Sequence, residues 1–189
     1  GKKAAMTEEE LVGLCRNGNK NAWEELYSIY KPRVLKIARR FFLSGGETED
    51  LVQEGMCGLY SAVNGYNQGE NFSAYAYVCI RNRIVDAVKK SCGAKNSALN
   101  NFLPIVEVGG EWLSPVNPED EIIKREDKRE FLYSIGKVLS SFEFKAVIMY
   151  TDGMTLAEIS SALGKNPKSI DNALTRAKHK LQKFILTEQ

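Results

Sequence analysis

The sequence predicts an all-α protein of two helical domains with a C-terminal helix-turn-helix, and two observations support this. From position 7 onward, apolar residues recur at spacings of three and four, the pattern of a helix buried along one face. The pattern disappears between positions 91 and 118, a stretch with three glycines and three prolines. These signals predict a domain over 7–95, a flexible linker over 96–117 and a second domain over 118–187.

The first helices of the N-terminal domain are marked by start and break signals. Thr7 and Glu10 are spaced as a capping box, so we expect a helix to begin there. Helical spacing of apolar residues then extends over 23–42, and Pro32 within this stretch is expected to bend or restart the helix. The glycine pair 45–46 ends the segment.

Two further helices complete this domain. Glu49 and Asp50 place negative charge at the positive end of a helix that is predicted to run to about Val63. A loop over 64–71 follows, and the next helix is predicted over 72–90. No segment has the alternation of a strand.

The C-terminal domain is predicted to hold one charged amphipathic helix over 119–139 and three shorter helices after it. Gly164 supplies a turn between the last two, Asn166 is an expected N-cap, and Pro167 suits the first helical position. The outer stripe of the last helix is basic, since six Lys or Arg and one acid lie between positions 165 and 183. That stripe favours DNA phosphates, whereas the plainer alternative is an antiparallel helix pair with a lysine-rich exterior.

Composition restricts the classes of function. The net charge is only +2, so any nucleic-acid binding must depend on local basic faces. The four cysteines are far apart and the chain has a single histidine, which predicts no metal site and no cofactor. Cys15, Cys57 and Cys79 fall beside apolar residues, as free cysteines do in the cores of reduced proteins, so a cytoplasmic location is expected.

Membrane and small-molecule functions are not expected. No apolar run approaches the roughly 20 residues that span a bilayer. A nucleotide-binding GxxxxGK loop and a serine nucleophile elbow are also missing from the sequence, so we expect neither an enzyme nor a small-molecule substrate.

Two parts of the chain resemble regions 2 and 4 of the sigma-70 family of bacterial RNA polymerase sigma factors. The segments DLVQEGMCGLYSAV, over 50–63, and FSAYAYVCIRNRIVDAV, over 72–88, are similar to region 2. The segments TLAEI and KSIDNALTRAK, which begin at positions 155 and 168, look like region 4. Both parts are most similar to the sigma-H-like group, and the linker leaves no room for a folded region 3.

The resemblance implies a protein that binds core RNA polymerase, directs it to promoters and promotes duplex opening. Its partners would be the clamp helices and flap of the polymerase, promoter DNA and, as a further candidate, an anti-sigma factor. The implied polymerase contacts are Asp50, Leu51, Gln53 and Glu54. The implied contacts to the minus-ten element are Phe72, Tyr75, Tyr77, Arg81, Asn82, Arg83, Val85 and Lys89. The implied contacts to the minus-thirty-five element are Lys168, Ser169, Asp171, Asn172, Thr175, Arg176 and His179.

Several of these residues carry qualifications. Aromatic residues at helical spacing are more often core than platform, so we expect Phe72 and one tyrosine to be structural. Val78 and Cys79 stand where housekeeping members of the family have paired tryptophans, which predicts stricter promoter requirements. Asp171 would repel phosphate unless it accepts from a cytosine amino group or orients Arg176.

Two alternatives to a sigma factor stay open from the residues alone. A polymerase-independent helix-turn-helix regulator would explain residues 142–185 but not the two region 2 segments. A sigma-like protein without promoter activity would act only as an interaction module.

Overall fold

The computed structural model describes residues 5–41, 43, 48–92, 129–130 and 132–187. Throughout these ranges the fold is helical, with one isolated bridge between Gln68 and Glu70 and no strand. The predicted linker and the start of the charged segment lie outside the described residues. The helices are α1 (Glu8–Arg16), α2 (Lys20–Arg40), α3 (Thr48–Gly65), α4 (Phe72–Cys92), α5 (132–138), α6 (Ser141–Thr151), α7 (Leu156–Leu163) and α8 (Pro167–Thr187).

Three of the described helices begin with a capping box. In this motif the side chain of the N-cap residue accepts a hydrogen bond from the backbone N–H of the third helical residue, and the side chain of that residue accepts one from the N-cap N–H. The predicted box at α1 is confirmed: the Glu10 N–H donates to Thr7 Oγ1 at 3.2 Å, and the Thr7 N–H donates to Glu10 Oε2 at 3.3 Å. The same exchange begins α6 at Ser140 and α7 at Thr155.

Pro32 does not restart a helix, because α2 runs without a break through that position. The proline removes one intrahelical hydrogen bond. The packed face of α2 continues on both sides of the proline, where the fully buried residues are Leu26, Tyr30 and Val34. Packing of that face therefore outweighs the local preference for a break.

The N-terminal core is closed by an unusually close approach of α3 and α4. A Cβ atom built at Gly58 would lie 2.8 Å from both the Cys79 carbonyl oxygen and the Ile80 Cα. Gly55, one turn earlier, instead leaves room for the side chains of Val34 on α2 and Ile84 on α4. Gly58 thus lets the backbones of α3 and α4 touch, and Gly55 lets side chains of both neighbouring helices pack closely on α3.

The C-terminal core forms around α8, which packs against α6 and α7. Ile159 from α7 and Ile170 from α8 are fully buried in it, and Ile135 and Leu139 belong to the same cluster. The end of the predicted charged helix therefore packs into this core as its apolar pattern suggested.

The two halves of the chain touch at a joint, which we define by Arg39, Leu43 and Thr48 on one side and Tyr150, Met154 and Gln182 on the other. Leu43 lies in the N-terminal half of the sequence but packs in the C-terminal core, with 2% of its surface exposed. Arg39 donates hydrogen bonds across the joint to backbone carbonyls. No spacing of residues in the sequence predicted this contact.

Cysteine placement differs in part from the prediction. Cys15 is buried and Cys79 is half-buried, but Cys57 is exposed on α3, so its expected place in the core is wrong. The described residues contain no group of three or more His, Cys, Asp or Glu side chains placed to hold a metal ion. No described helix has the length and apolar content needed to cross a membrane.

Candidate nucleic-acid interface

The outer face of α3 carries the first group of predicted contacts. Asp50 and Gln53 are exposed and Glu54 is half-exposed, so the three polar side chains form one acidic face. Leu51 is 5% exposed and belongs to the N-terminal core. Its inclusion among the surface contacts is therefore corrected, because one residue along a helix turns the side chain by about 100°.

The aromatic residues of α4 divide between core and surface. Phe72 is fully buried, with its ring edge-on to Tyr30 and Tyr66 at centroid distances of 5.9 and 5.2 Å. Tyr77 is 8% exposed. Both are thus removed from the predicted DNA contacts, and Tyr75, which is half-buried, keeps part of its ring accessible.

The remaining predicted residues of α4 follow the outer side of the helix. Asn82, Arg83 and Lys89 are exposed. Arg81 and Val85 are half-buried, and Val85 packs against the core. The accessible part of this face is therefore mostly polar and basic, and it also includes Val78, which keeps 50% of its surface exposed.

An ion pair joins the acidic face of α3 to the basic face of α4. Arg83 Nε donates to Glu54 Oε2 at 2.9 Å, and the two side chains keep 50% and 43% of their surface exposed. Two residues that were predicted to serve different partners are thus each other's partner in the isolated chain. Because both side chains are exposed to water and salt, the pair is weak, so either residue can be withdrawn by a stronger partner.

The loop between α3 and α4 is held by Arg16 of α1. Its Nε donates to the Val63 carbonyl at 2.7 Å, and its Nη2 donates to the carbonyls of Asn64 and Tyr66. A guanidinium there satisfies acceptors at the C-terminal end of α3 and complements the negative end of the helix dipole. Sequence reasoning missed this residue, since its partners lie some fifty positions away.

A cleft of about 240 Å³ opens beside this arginine, between α1 and the loop. Tyr66 in its wall is fixed by its hydroxyl, which donates to the Glu70 carbonyl. The loop between α3 and α4 therefore borders a cavity. The lining residues are Glu9, Val12, Gly13, Arg16, Tyr66, Gln68 and Gly69.

The predicted helix-turn-helix geometry is confirmed. Gly164 adopts φ +64°, the left-handed conformation that glycine tolerates best, and turns the chain between α7 and α8. Asn166 Oδ1 accepts a hydrogen bond from the Ser169 N–H at 2.8 Å, as an N-cap does. Pro167 is the first residue of α8.

The outer stripe of α8 faces solvent along its length. Ser169 is half-buried beside its N-cap bond, and Thr175 donates to the Asp171 carbonyl at 3.0 Å. The predicted contacts that the structure leaves exposed are Lys168, Asp171, Asn172, Thr175, Arg176 and His179.

A buried carboxylate ties α8 to α6. Glu143 is 2% exposed, and its two oxygens accept from Lys180 Nζ at 2.6 Å and from Arg176 Nε at 3.4 Å. Burial alone would raise the pKa of Glu143, but the hydrogen bonds from Lys180 and Ser140 and the Lys180 charge lower it to about 2. Arg176, predicted as a DNA contact, is therefore also part of the internal scaffold of the helix-turn-helix.

Comparison with known families gives two matches, one in each half of the chain. The family described as "Sigma-70 region 2" matches residues 26–91, which includes α3, the loop and nearly all of α4. The family described as "Sigma-70, region 4" matches residues 139–181, from the start of α6 into α8. The two matches cover the surfaces described above.

Similar proteins extend the match over nearly the whole chain. The RNA polymerase sigma-H factor of Bacillus subtilis is 33% identical over 95% of this chain and 89% of its own length. The ECF RNA polymerase sigma factor SigW of the same organism is 23% identical over 95% of this chain and 97% of its own. A solved chain titled "Structure of CnrH in complex with the cytosolic domain of CnrY" covers 96% of this chain at 18% identity, with a TM-score of 0.39.

Proposed function

Because this chain belongs to the sigma-70 family and is a sigma factor that directs RNA polymerase to promoters, we propose that α3, α4 and α8 divide that work among three surfaces. Members of this family are initiation factors without a reaction of their own. Binding energy must therefore supply whatever free energy promoter opening requires. The protein would act in the cytoplasm, where the polymerase and the chromosome are located.

The acidic face of α3 binds core polymerase in this proposal. Asp50 and Gln53 are exposed on a helix whose opposite side is buried, so a partner can approach without any rearrangement of the core. An acidic helix face suits a basic partner, here a clamp helix of the largest polymerase subunit. Leu51 contributes by fixing the helix from the inside.

The face of α4 holds the minus-ten element after the duplex opens. Single-stranded DNA binds where an aromatic ring can stack on a base and cations can follow the backbone. Tyr75 offers the accessible ring, and Arg83 and Lys89 offer the cations. The side-chain amide of Asn82, which lies between Tyr75 and Arg83 in the sequence, can both donate a hydrogen bond to a base edge and accept one from it. Contacts to bases that leave the stack offset the few kcal/mol of unstacking.

The outer stripe of α8 reads the minus-thirty-five element. Asn172 and Lys168 near its N-terminal end would enter the major groove first, as in other helix-turn-helix proteins. Asp171 is exposed and has no charged neighbour within ion-pair distance among the described residues, so acceptance from a cytosine amino group is its proposed role. An anti-sigma partner stays a prediction, since none of these residues is specific for one.

The observation that carries the proposal is the arrangement of the surfaces. An acidic helix face and a basic, partly aromatic helix face lie side by side in one unit, joined by the Glu54–Arg83 pair. A second unit presents an independent exposed recognition helix. A stand-alone DNA-binding regulator would need only the second unit.

Run-off transcription from a promoter library, with core polymerase and with or without the protein, tests the proposal. Asp50→Ala is expected to weaken association with core polymerase, whereas Tyr75→Ala should leave that association intact and reduce open-complex formation. Tyr133→Ala, an exposed tyrosine on α5, is the matched control and should change neither. DNA binding without transcript and without polymerase association would instead identify a stand-alone regulator.

A further inference from the structure

The turn that follows α3 supports the aromatic ring that is proposed to meet unpaired DNA. We propose that Arg16 and Gly65 are positioning residues, which together hold the ring of Tyr75 in the orientation that stacks on an unpaired base. This inference rests on the proposed function of α4, in which Tyr75 supplies that ring. It assigns a role to two residues that lie outside all three proposed binding surfaces.

Gly65, the last residue of α3, leaves the space in which the tip of the Tyr75 side chain lies. A Cβ atom built on Gly65 would be 2.8 Å from the Tyr75 hydroxyl oxygen and 3.8 Å from the ring carbon Cζ that bears it. The shorter of these distances is well inside van der Waals contact, so the ring can take this position only because residue 65 has no side chain.

Tyr66, the next residue, contacts the same ring. The ring centroids of Tyr66 and Tyr75 are 6.3 Å apart and their planes are inclined by 46°, a favourable arrangement for two aromatic rings. Tyr66 is itself held in the core, where it is 3% exposed and meets the Phe72 ring edge-on. The Cys79 side chain, one turn later on α4, interacts with the Tyr75 hydroxyl and raises the pKa of that group. We call Gly65 and Tyr66 the ring seat, since both lie in the turn and both contact Tyr75.

Arg16 fixes the ring seat from α1, because it binds the backbone on both sides of Gly65. Its Nη2 donates to the carbonyls of Asn64 and Tyr66, and its Nε donates to the Val63 carbonyl at 2.7 Å. A guanidinium is planar and presents its donors in a fixed geometry, so one rigid group holds three successive acceptors of the turn. The position of the ring seat is therefore tied to α1.

Loss of the Arg16 guanidinium is expected to change the position of the ring more than the fold. Arg16, Asn64 and Gly65 are exposed, so water can replace the guanidinium at the carbonyls of the turn. A turn that is held only by water samples more positions, and the Tyr75 ring must then be ordered when DNA binds. Ordering one side chain at an interface lowers affinity by about three- to tenfold.

Fluorine NMR of the full chain tests the ring seat without DNA. After incorporation of 3-fluorotyrosine, the Tyr75 resonance is identified as the one that is missing in Tyr75→Phe. Arg16→Gln and Gly65→Ala should each shift or broaden that resonance, while circular dichroism shows that the helices are retained. An unchanged Tyr75 resonance in either variant would overturn the positioning role of the substituted residue.

The matched controls make the same two kinds of change elsewhere in the N-terminal unit. Arg33→Gln removes an arginine that also binds α1, through an ion pair with Glu8 at 3.1 Å. Gly13→Ala adds a methyl group to a helical glycine where a Cβ atom meets nothing within 4 Å. Both controls should leave the Tyr75 resonance unchanged, and a shift as large as that in the test variants would overturn the ring seat.

DNA binding by the protein in complex with core polymerase then tests the role in promoter opening. The probe is a promoter selected by run-off transcription, prepared with the non-template strand of its minus-ten element unpaired. Arg16→Gln and Gly65→Ala should each weaken binding of this probe by about three- to tenfold and leave association with core polymerase unchanged. A shifted Tyr75 resonance with unchanged binding of the probe would overturn the role in opening.

Removal of the Tyr75 hydroxyl separates a steric effect on the ring from a general weakening of the fold. Tyr75→Phe keeps the ring, and the atom nearest to a methyl group at residue 65 would then be Cζ, at the ordinary contact distance of 3.8 Å. In the Gly65→Ala background, Tyr75→Phe should therefore restore binding to the level of Tyr75→Phe alone. In the Arg16→Gln background it should not, since there the turn itself is loosened. Failure of the first restoration would overturn the ring seat.

The two measurements also separate this inference from the proposed function. If the wild type gave no transcript and did not bind the unpaired probe, the proposed function of α4 would be refuted, and the role of Arg16 and Gly65 in opening with it. The Tyr75 resonance would still decide whether these two residues hold the ring.

Discussion

The helices α4 and α8 have the same length and are both proposed to read DNA, yet they use their sequences differently. α8 packs on one side, against α6 and α7, and its outer stripe is exposed. α4 packs closely against α3 and also contacts α1 and α2, so two of its three proposed aromatic readers are in the core. In a helix that packs on one side, periodicity alone tells which side chains are buried and which can contact DNA. In a helix that is enclosed on several sides, it does not.

The buried carboxylate of the C-terminal unit gives the largest expected effect and shows what keeps α8 so well exposed. Replacement of Glu143 by Gln removes the charge that holds Lys180 and Arg176. The pKa of Glu143 falls from 4.5 to about 2 on folding, which corresponds to about 3 kcal/mol of stability. Glu143→Gln should therefore lower the free energy of unfolding by about that amount at neutral pH, as measured by urea denaturation.

The pH dependence identifies the cause of that loss. A carboxyl whose pKa is lowered by folding stabilises the protein fully above its unfolded pKa and loses this contribution as the pH falls through its folded pKa. The difference between wild type and Glu143→Gln should therefore shrink between pH 4.5 and about 2. Glu158→Gln, at the same capping-box position of α7 but exposed, should cost at most about 1 kcal/mol. An equal difference at both ends of the range would contradict an electrostatic origin.

The helix contact of the N-terminal unit gives the next largest effect. In Gly58→Ala the new methyl group would lie 2.8 Å from the backbone of α4, which cannot move aside as a side chain can. We expect a loss of about 2–3 kcal/mol in the free energy of unfolding. Gly136→Ala is the control, since a Cβ there meets nothing within 4 Å, and the change should stabilise α5 by up to about 1 kcal/mol. Equal effects of the two substitutions would refute the close approach of α3 and α4.

Much of the fold was predictable from local signals. The capping box at Thr7, the turn at Gly164 and the N-cap at Asn166 each depend on residues within four positions of each other, and all three are confirmed. Of the bend or restart expected at Pro32, the restart is wrong, because tertiary packing outweighed a local preference.

The parts of the site that the sequence did not predict depend on distant contacts. Arg16 finds its acceptors at the C-terminal end of α3 and in the loop after it, Arg39 finds its acceptors in the other half of the chain, and Leu43 belongs to a core more than ninety positions away. The spacing of residues along the sequence does not predict contacts between residues that are so far apart. The burial of Phe72 and of one tyrosine was expected, but the sequence did not tell which tyrosine, since periodicity does not say how many sides of a helix are covered.

A smaller effect is expected from two cations on α8, one of which is exposed and one of which also holds the C-terminal unit together. Lys168 is exposed and has no ion-pair partner in the described part of the chain, whereas Arg176 is bound to the buried Glu143. Lys168→Gln should leave the free energy of unfolding unchanged, weaken promoter binding by about tenfold or less and reduce the salt slope by about 1. Arg176→Gln should lower both stability and binding. Fluorescence anisotropy over a salt series, with urea denaturation of each variant, separates the two, and a stability loss in Lys168→Gln would contradict the division.

The smallest expected effect concerns the contact between the polymerase surface and the DNA surface. Because Glu54 accepts from Arg83 in the isolated chain, loss of its charge should release the guanidinium for phosphate. Glu54→Gln should therefore raise the affinity of the free protein for single-stranded DNA, by no more than about fivefold given the strength of an exposed ion pair. Glu49→Gln makes the same change of net charge on α3 without an ion pair to Arg83 and is the control.

A double-mutant cycle decides whether Arg83 carries that gain. In an Arg83→Gln background, Glu54→Gln should no longer improve binding beyond the Glu49→Gln control, since the released cation is gone. If the gain persists, it reflects the lower negative charge of α3 in general. If it disappears, polymerase contacts that draw Glu54 away from α4 would at the same time prepare Arg83 for the opened strand, so that binding at one surface favours binding at the other.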